Sequence, residues 1–201
     1  MKNSLKIIAI ITTVISCKSQ TQIIDVQNYD GKDIPGAYYK DINNVLQPFV
    51  GEYLYTNGST SLKIILQKKT MSTPFNNKFY EDLIIGGYQY IENGIEKANT
   101  INALNLFSHT NGWKYSLSGN SILTQGDPPC KNCIAGEKAL SLGLAEKDTH
   151  NWAVLAVRRV VQGGKPAIEV FVYWQGKAWV YGTPEPKNPS FNGGYYTLIK
   201  Q

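Results

Sequence analysis

The chain has 201 residues, of which 42% are hydrophobic and 17% charged, with a formal net charge of +5. That length suits one domain with a real core and is short for two. The basic excess is mild and scattered, with Lys68-Lys69 and Arg158-Arg159 as the only basic doublets, which argues against a nucleic-acid partner.

Residues 1–16 read as an export signal. Lys2 and Lys6 supply a positive start, and Ile7, Ile8, Ala9, Ile10, Ile11 and Val14 an apolar run too short to span a bilayer. Val14-Ile15-Ser16-Cys17 resembles the bacterial lipobox. That resemblance implies a diacylglycerol on the Cys17 thiol and cleavage just before it, which leaves 185 residues and a charge of +3. The alternative is an ordinary secretory signal with Cys17 as a thiol or half-cystine. A multiply acylated cysteine holds a chain at the membrane, whereas one acyl chain at ~0.8 kcal/mol per methylene does so only marginally. The membrane is therefore an expected partner through the N-terminal lipid. Lys18 and Ser19 lack the Asp associated with inner-membrane retention, and no acidic run follows Cys17. The expected location is the cell envelope, at the outer membrane and facing the periplasm.

Residues 17–40 are polar, contain Gly31, Pro35 and Gly36, and read as a tether. Residues 41–201 then read as a single β-barrel domain. Asp41 is placed to cap a short turn with Val45, Leu46 and Phe49 facing inward and Pro48 stopping it. From Gly51 the pattern alternates: Tyr53 and Tyr55, then Leu62, Ile64 and Leu66 beyond the hairpin dipeptide Asn57-Gly58. Phe79–Glu92 is a strand whose Gly86-Gly87 suggests a bulge or sharp bend, and Asn93-Gly94 turns it into Ile95–Ile101. Asn111-Gly112 introduces Trp113, Tyr115 and Leu117. Leu140, Leu142 and Leu144 alternate with small residues. Trp152–Val161 and Ile168–Trp174 are the strongest strands, joined by Gly163-Gly164. Gln175-Gly176 reads as a turn into Lys177–Tyr181, Thr183–Ser190 as a long loop, and Tyr195–Lys200 as the last strand.

About eight to ten hairpin-linked strands with no sizeable helix between them imply an all-β, antiparallel, up-and-down barrel with a short N-terminal helical turn. The segment Val45-Leu46-Gln47-Pro48-Phe49-Val50-Gly51-Glu52-Tyr53 resembles the start of a lipocalin-like (calycin) barrel, with Tyr53 where that family places a Trp. The resemblance implies that this aromatic plugs a closed end beneath a basic residue from a late strand, Lys200 or Arg159. The signal, the Phe49-x-Gly51-x-Tyr53 strand and the Tyr-rich hairpins together resemble an uncharacterised family of Bacteroidota lipoproteins with a domain of unknown function. That likeness implies location and fold and no activity.

Chemistry-bearing residues are few. Cys130 and Cys133, spaced C-x-x-C in a Pro- and Gly-rich loop, read as a disulfide in an oxidising envelope. Their alternative reading is the dithiol of an envelope thiol-disulfide oxidoreductase, although no βαβ pattern or helix start surrounds them to activate a thiol. A zinc site needs about four ligands, and His109 and His150 stand alone in the sequence. No Gly-x-Ser-x-Gly elbow and no identifiable carboxylate pair marks a hydrolase. No catalytic residue, metal or cofactor is therefore expected. Aromatics remain: Tyr88, Tyr90 and Tyr173, with Trp174, Trp179, Tyr181, Tyr195 and Tyr196, lie on sheet faces or rims. Adjacent strand residues face opposite ways, so one of Arg158 and Arg159 points inward and needs a partner. Tyr88, Tyr90, Tyr173 and Arg159 are thus the candidate ligand-binding residues. The expectation is a lipid-anchored, non-enzymatic binding or structural module that holds a small amphiphile or contacts an envelope protein. A surface glycan-binding protein is a further alternative.

Overall fold

The computed structural model describes residues 21–74, 78–106, 110–124, 126, 133–177 and 187–201. Its strands are β1 (Ile23–Asp25), β2 (Tyr38–Lys40), β3 (Gly51–Asn57), β4 (Thr60–Ser72), β5 (Tyr80–Glu92), β6 (Ile95–Asn99), β7 (Leu117–Leu123), β8 (Ala139–Glu146), β9 (Asn151–Gln162), β10 (Lys165–Lys177) and β11 (Gly194–Lys200). One short helix, α1 (Ile101–Leu106), follows β6. Eight of the strands close on themselves in the cyclic order β3-β4-β5-β7-β8-β9-β10-β11, each antiparallel to its neighbours. The protein is therefore a closed, up-and-down antiparallel barrel of the lipocalin-like kind.

Side-chain alternation sets which way each strand faces. Leu62, Ile64 and Leu66 on β4, Leu140, Leu142 and Leu144 on β8, Ala153, Leu155 and Val157 on β9, and Ile168, Val170 and Val172 on β10 all point inward and are buried. Phe49 and Tyr53 join this core from one end, and Tyr88, Tyr90 and Phe191 from the other. Among the described residues, the inward side chains of these strands form one buried apolar cluster.

The closed end is built by the turn before β3. Asp41 is buried, and its carboxylate accepts the amides of Val45 (2.7 Å) and Leu46 (3.2 Å) and the Lys68 ammonium (2.7 Å). A single 3-10 turn, Gln47–Phe49, includes Pro48 near its start, where a missing N–H costs nothing, rather than ending at it. Tyr53 donates its hydroxyl to the Phe49 carbonyl (2.9 Å), and burial pushes that phenol's pKa up. Lys200 Nζ stands 5.8 Å from the centre of the Tyr53 ring and donates to Val50 O (3.0 Å); the Arg159 guanidinium stands 5.9 Å from the Phe49 ring. Arg158 takes the opposite, outward parity. It is held by Glu169 (2.7 Å) and Glu137 (3.3 Å).

β5 organises the rest. One of its edges pairs with β4 along most of its length. The other edge is shared among three partners: β2 at Tyr80–Glu81, β7 at Ile84–Gly86, and β6 at Gln89–Glu92. Gly86 pairs with both Leu66 and Leu117 at this seam, and a Cβ there would lie 2.6 Å from the Ile65 carbonyl oxygen. At Gly87 a Cβ would meet Thr100 O at 2.9 Å, so the start of α1 rests directly on bare backbone. The expected Gly86-Gly87 bend is a close approach of main chains with unbroken β4–β5 pairing, not a bulge.

Three further expectations change. Residues 23–40, read as tether, carry β1 and β2, which extend the sheet in parallel from the lower end of β5. Composition hid this because the apolar residues are few and dispersed: Val26, Ala37, Tyr39 and Phe79 make a small core of their own. Gln175-Gly176 is not a turn; β10 continues to Lys177 across a register shift between Trp174 and Gly176. Trp113 lies in a 3-10 turn capped by the Asn111 side chain (2.9 Å to Trp113 N), not in a strand. Trp179, Tyr181 and the first half of the Thr183–Ser190 loop, through residue 186, fall outside the described residues.

Candidate functional site

Where β6 and α1 peel away from β7, a cleft of about 650 Å³ opens through the barrel wall. Its floor is Gly86 and Tyr88 on β5, and α1 contributes Ala103 and Leu104. The turn from β8 to β9 supplies Glu146–Thr149 on the far side, and Ser190 closes the top.

Glu146 is the structural centre of this cleft. It is only 5% exposed. Its carboxylate accepts the Tyr88 hydroxyl (2.9 Å), the Thr149 hydroxyl (2.6 Å) and the Ser190 amide (3.1 and 3.2 Å to its two oxygens). A buried carboxylate is tolerable only with such donors. The set joins β5, the β8–β9 turn and the segment leading to β11. Burial and the neighbouring Glu146 charge push the Tyr88 phenol far above its ordinary pKa, so Tyr88 remains a neutral donor.

The rim is cationic. Lys97, Lys114, Lys147 and Lys187 line the cleft and are exposed, and Lys147 Nζ donates to the Lys114 carbonyl (3.1 Å). Asp148 is the exposed acid among the lining residues, and Lys97 reaches Glu92 at 3.9 Å. The exposed basic rim, standing over a Glu146 carboxylate whose oxygens are occupied by Tyr88, Thr149 and Ser190, suits a small anion or an anionic group on a larger partner. At the closed end a second, shallower depression of about 590 Å³ includes Arg159 and Lys200, both engaged with the rings below them.

The profile of a family of unknown function, DUF6705, matches residues 1–201. The chain belongs to the DUF6705 family. No curated protein and no solved structure matches it.

The four candidate ligand-binding residues do not converge in this family member. Tyr88 and Tyr90 are buried and pack on Phe191 with ring centres 5.5 and 5.4 Å away. Arg159 is at the opposite end of the barrel, and Tyr173 is on the outer face, 52% exposed. The reason is parity: Tyr88 and Tyr90 share the inward register of Ile84, whereas Tyr173 alternates with inward Val172. Only Tyr88 reaches the cleft. Cys17 and Cys130 lie outside the described residues; Cys133 is buried beside Ala139 and Leu123. Among the described residues no group of three or more His, Cys, Asp or Glu could hold a metal. Glu146 and the lysine rim were missed by the sequence reading. A signal for Glu146 was present, since it continues the inward series Leu140, Leu142, Leu144. The lysines come from four separated segments and carry no linear signal.

Proposed function

We propose that this protein is a lipid-anchored component of the bacterial cell envelope, held at the outer membrane through Cys17, and that it acts as a non-enzymatic binding module. The barrel is the scaffold and the seam cleft is the binding site. The observation that carries this reading is the open cleft at the β5 seam, rimmed by Lys97, Lys114, Lys147 and Lys187 and braced by the Glu146 network. The ligand class is an anion, a phosphate or carboxylate group free or borne on an envelope partner. Titration with inorganic pyrophosphate, followed by amide NMR, tests it. Shifts should concentrate at residues 97–100, 146–149 and Ser190, and should vanish when Lys114→Gln and Lys147→Gln are combined. Shifts of equal size at lysines all over the surface, or none, would refute it.

A disulfide between Cys130 and Cys133 belongs to the same reading, supported by the burial of Cys133 and by the oxidising compartment. So small a loop would stabilise the fold by only ~2 kcal/mol. One observation favours glycan binding as a second reading. Phe171 and Tyr173 stand nearly parallel on the outer face of β10 (9°, centres 6.4 Å apart), with Tyr195 4.6 Å from Phe171. Such a row suits stacking on sugar faces. A glycan array unchanged by Tyr173→Ala would count against it.

A further inference from the structure

The docked β1–β2 pair limits how the body can sit on a bilayer. From Cys17 to Ile23 the chain has six residues, and at about 3.5 Å per residue it reaches at most ~20 Å. If Cys17 carries lipid, the bilayer surface lies within that distance of Ile23. The tether is too short for the barrel to present its far end, because β5 runs on for twelve residues beyond Tyr80, or ~40 Å of strand.

The surface around Ile23 is amphipathic, with the Asp25–Lys40 pair next along the same face. Ile23, Tyr38 and Tyr80 are in-register neighbours on three adjacent parallel strands, so their side chains share one face. Ile23 is 58% exposed and Tyr80 39%. The Tyr38 hydroxyl donates to Asp82 Oδ1 (2.6 Å), and the same carboxylate accepts the amides of Met71 (3.2 Å) and Asp41 (3.0 Å). That hub places Met71, 54% exposed, and Ile42, which follows Asp41 and is 51% exposed, around the row. Four exposed apolar residues, Ile23, Tyr80, Met71 and Ile42, are thus tied by strand register or by backbone bonds of their own or of a neighbour to the lower end of β5, and Ile23 is six residues from Cys17.

We propose that this face, formed by Ile23, Tyr38, Tyr80, Met71 and Ile42, seats on the lipid surface. The proposal rests on the anchor reading above and extends it by naming the face and its partner. The acyl chains supply attachment, and the face supplies orientation by burying its apolar side chains at the headgroup boundary. The seam cleft, about eight residues further along β5, is then held ~27 Å from the contact row.

The test uses full-length protein, expressed in a lipoprotein-processing host and reconstituted in vesicles of phosphatidylethanolamine and phosphatidylglycerol. A tryptophan is added by Ile42→Trp or, at the far hairpin, by Ser59→Trp, and its emission is taken as the difference from the parent. Lipid brominated on its acyl chains should quench the residue-42 emission at least twofold and leave that of residue 59 unchanged. A mass spectrum with lipid on Cys17 but equal quenching at both positions overturns the seating alone. A spectrum without lipid on Cys17 overturns the anchor and the seating together.

Discussion

Phe191 closes the end of the barrel opposite Phe49, and its removal tests whether the interior is packed as described. The ring is 5% exposed and lies among Tyr88, Tyr90, Trp174 and Tyr196, with ring centres 5.4 to 6.1 Å away. Its carbonyl is separately held by Trp174 Nε1 (3.2 Å), so Phe191→Ala should leave the backbone in place and open a void. Lost burial of the ring costs roughly 2 kcal/mol. A residual void of about 60 Å³, at ~24 cal/mol per Å³, adds roughly 1.5 kcal/mol. The expected loss is therefore about 3.5 kcal/mol, within the range of ~3–5 kcal/mol seen for buried Phe→Ala changes. Urea unfolding followed by circular dichroism and tryptophan emission would show this as a lower midpoint at constant slope. Phe191→Leu should recover more than half of the loss. A loss below about 1 kcal/mol at unchanged slope would refute the argument, because it would mean that the ring is not part of the core.

Gly86→Val should destabilise the protein by roughly 3 kcal/mol or more through the 2.6 Å approach to Ile65 O, with amide exchange rising first at residues 84–86 and 117–119. Asp82→Ala should strip Tyr38, Asp41 and Met71 of their shared acceptor at a cost of about 2–4 kcal/mol, seen as a lower unfolding midpoint and early proteolysis between Ile23 and Lys40. Burial raises the Glu81 carboxyl above its ordinary 4.5, against opposing hydrogen bonds from Trp113 and Asn120. A group that binds its proton more tightly when folded contributes fully below its unfolded pKa and loses that contribution as pH rises through the folded value. Relative to Glu81→Gln, the parent should therefore lose stability as pH climbs from about 4.5, which parallel urea titrations at several pH values would reveal.

Much of the barrel was legible because inward leucines, isoleucines and valines recur at every second position over long strands. The Asn93-Gly94 and Gly163-Gly164 hairpins were equally plain, since both residues of each pair adopt the positive φ that such two-residue turns demand. Short strands were not legible. β1 and β2 have three residues each, too few for alternation to register, and their partners are remote in sequence. Arg158 and Arg159 illustrate a partial reading. Alternation with inward Ala153, Leu155 and Val157 turns Arg159 in and Arg158 out, but the partners that hold Arg158, Glu137 and Glu169, come from other segments and carry no local signal. The cleft was invisible for a similar reason. It exists because β5 shares one edge among three partners, a property of the closed sheet and not of any stretch of chain.

That shared edge also separates the cleft from the architecture that carries it. One wall of the pocket comes from residues 95–106, a single excursion between two staves that already touch each other through Ile84–Gly86. Relatives could lengthen, shorten or exchange this insert and still keep all eight barrel strands. Grafting such inserts between family members would change the shape and charge of this cleft without redesigning the scaffold.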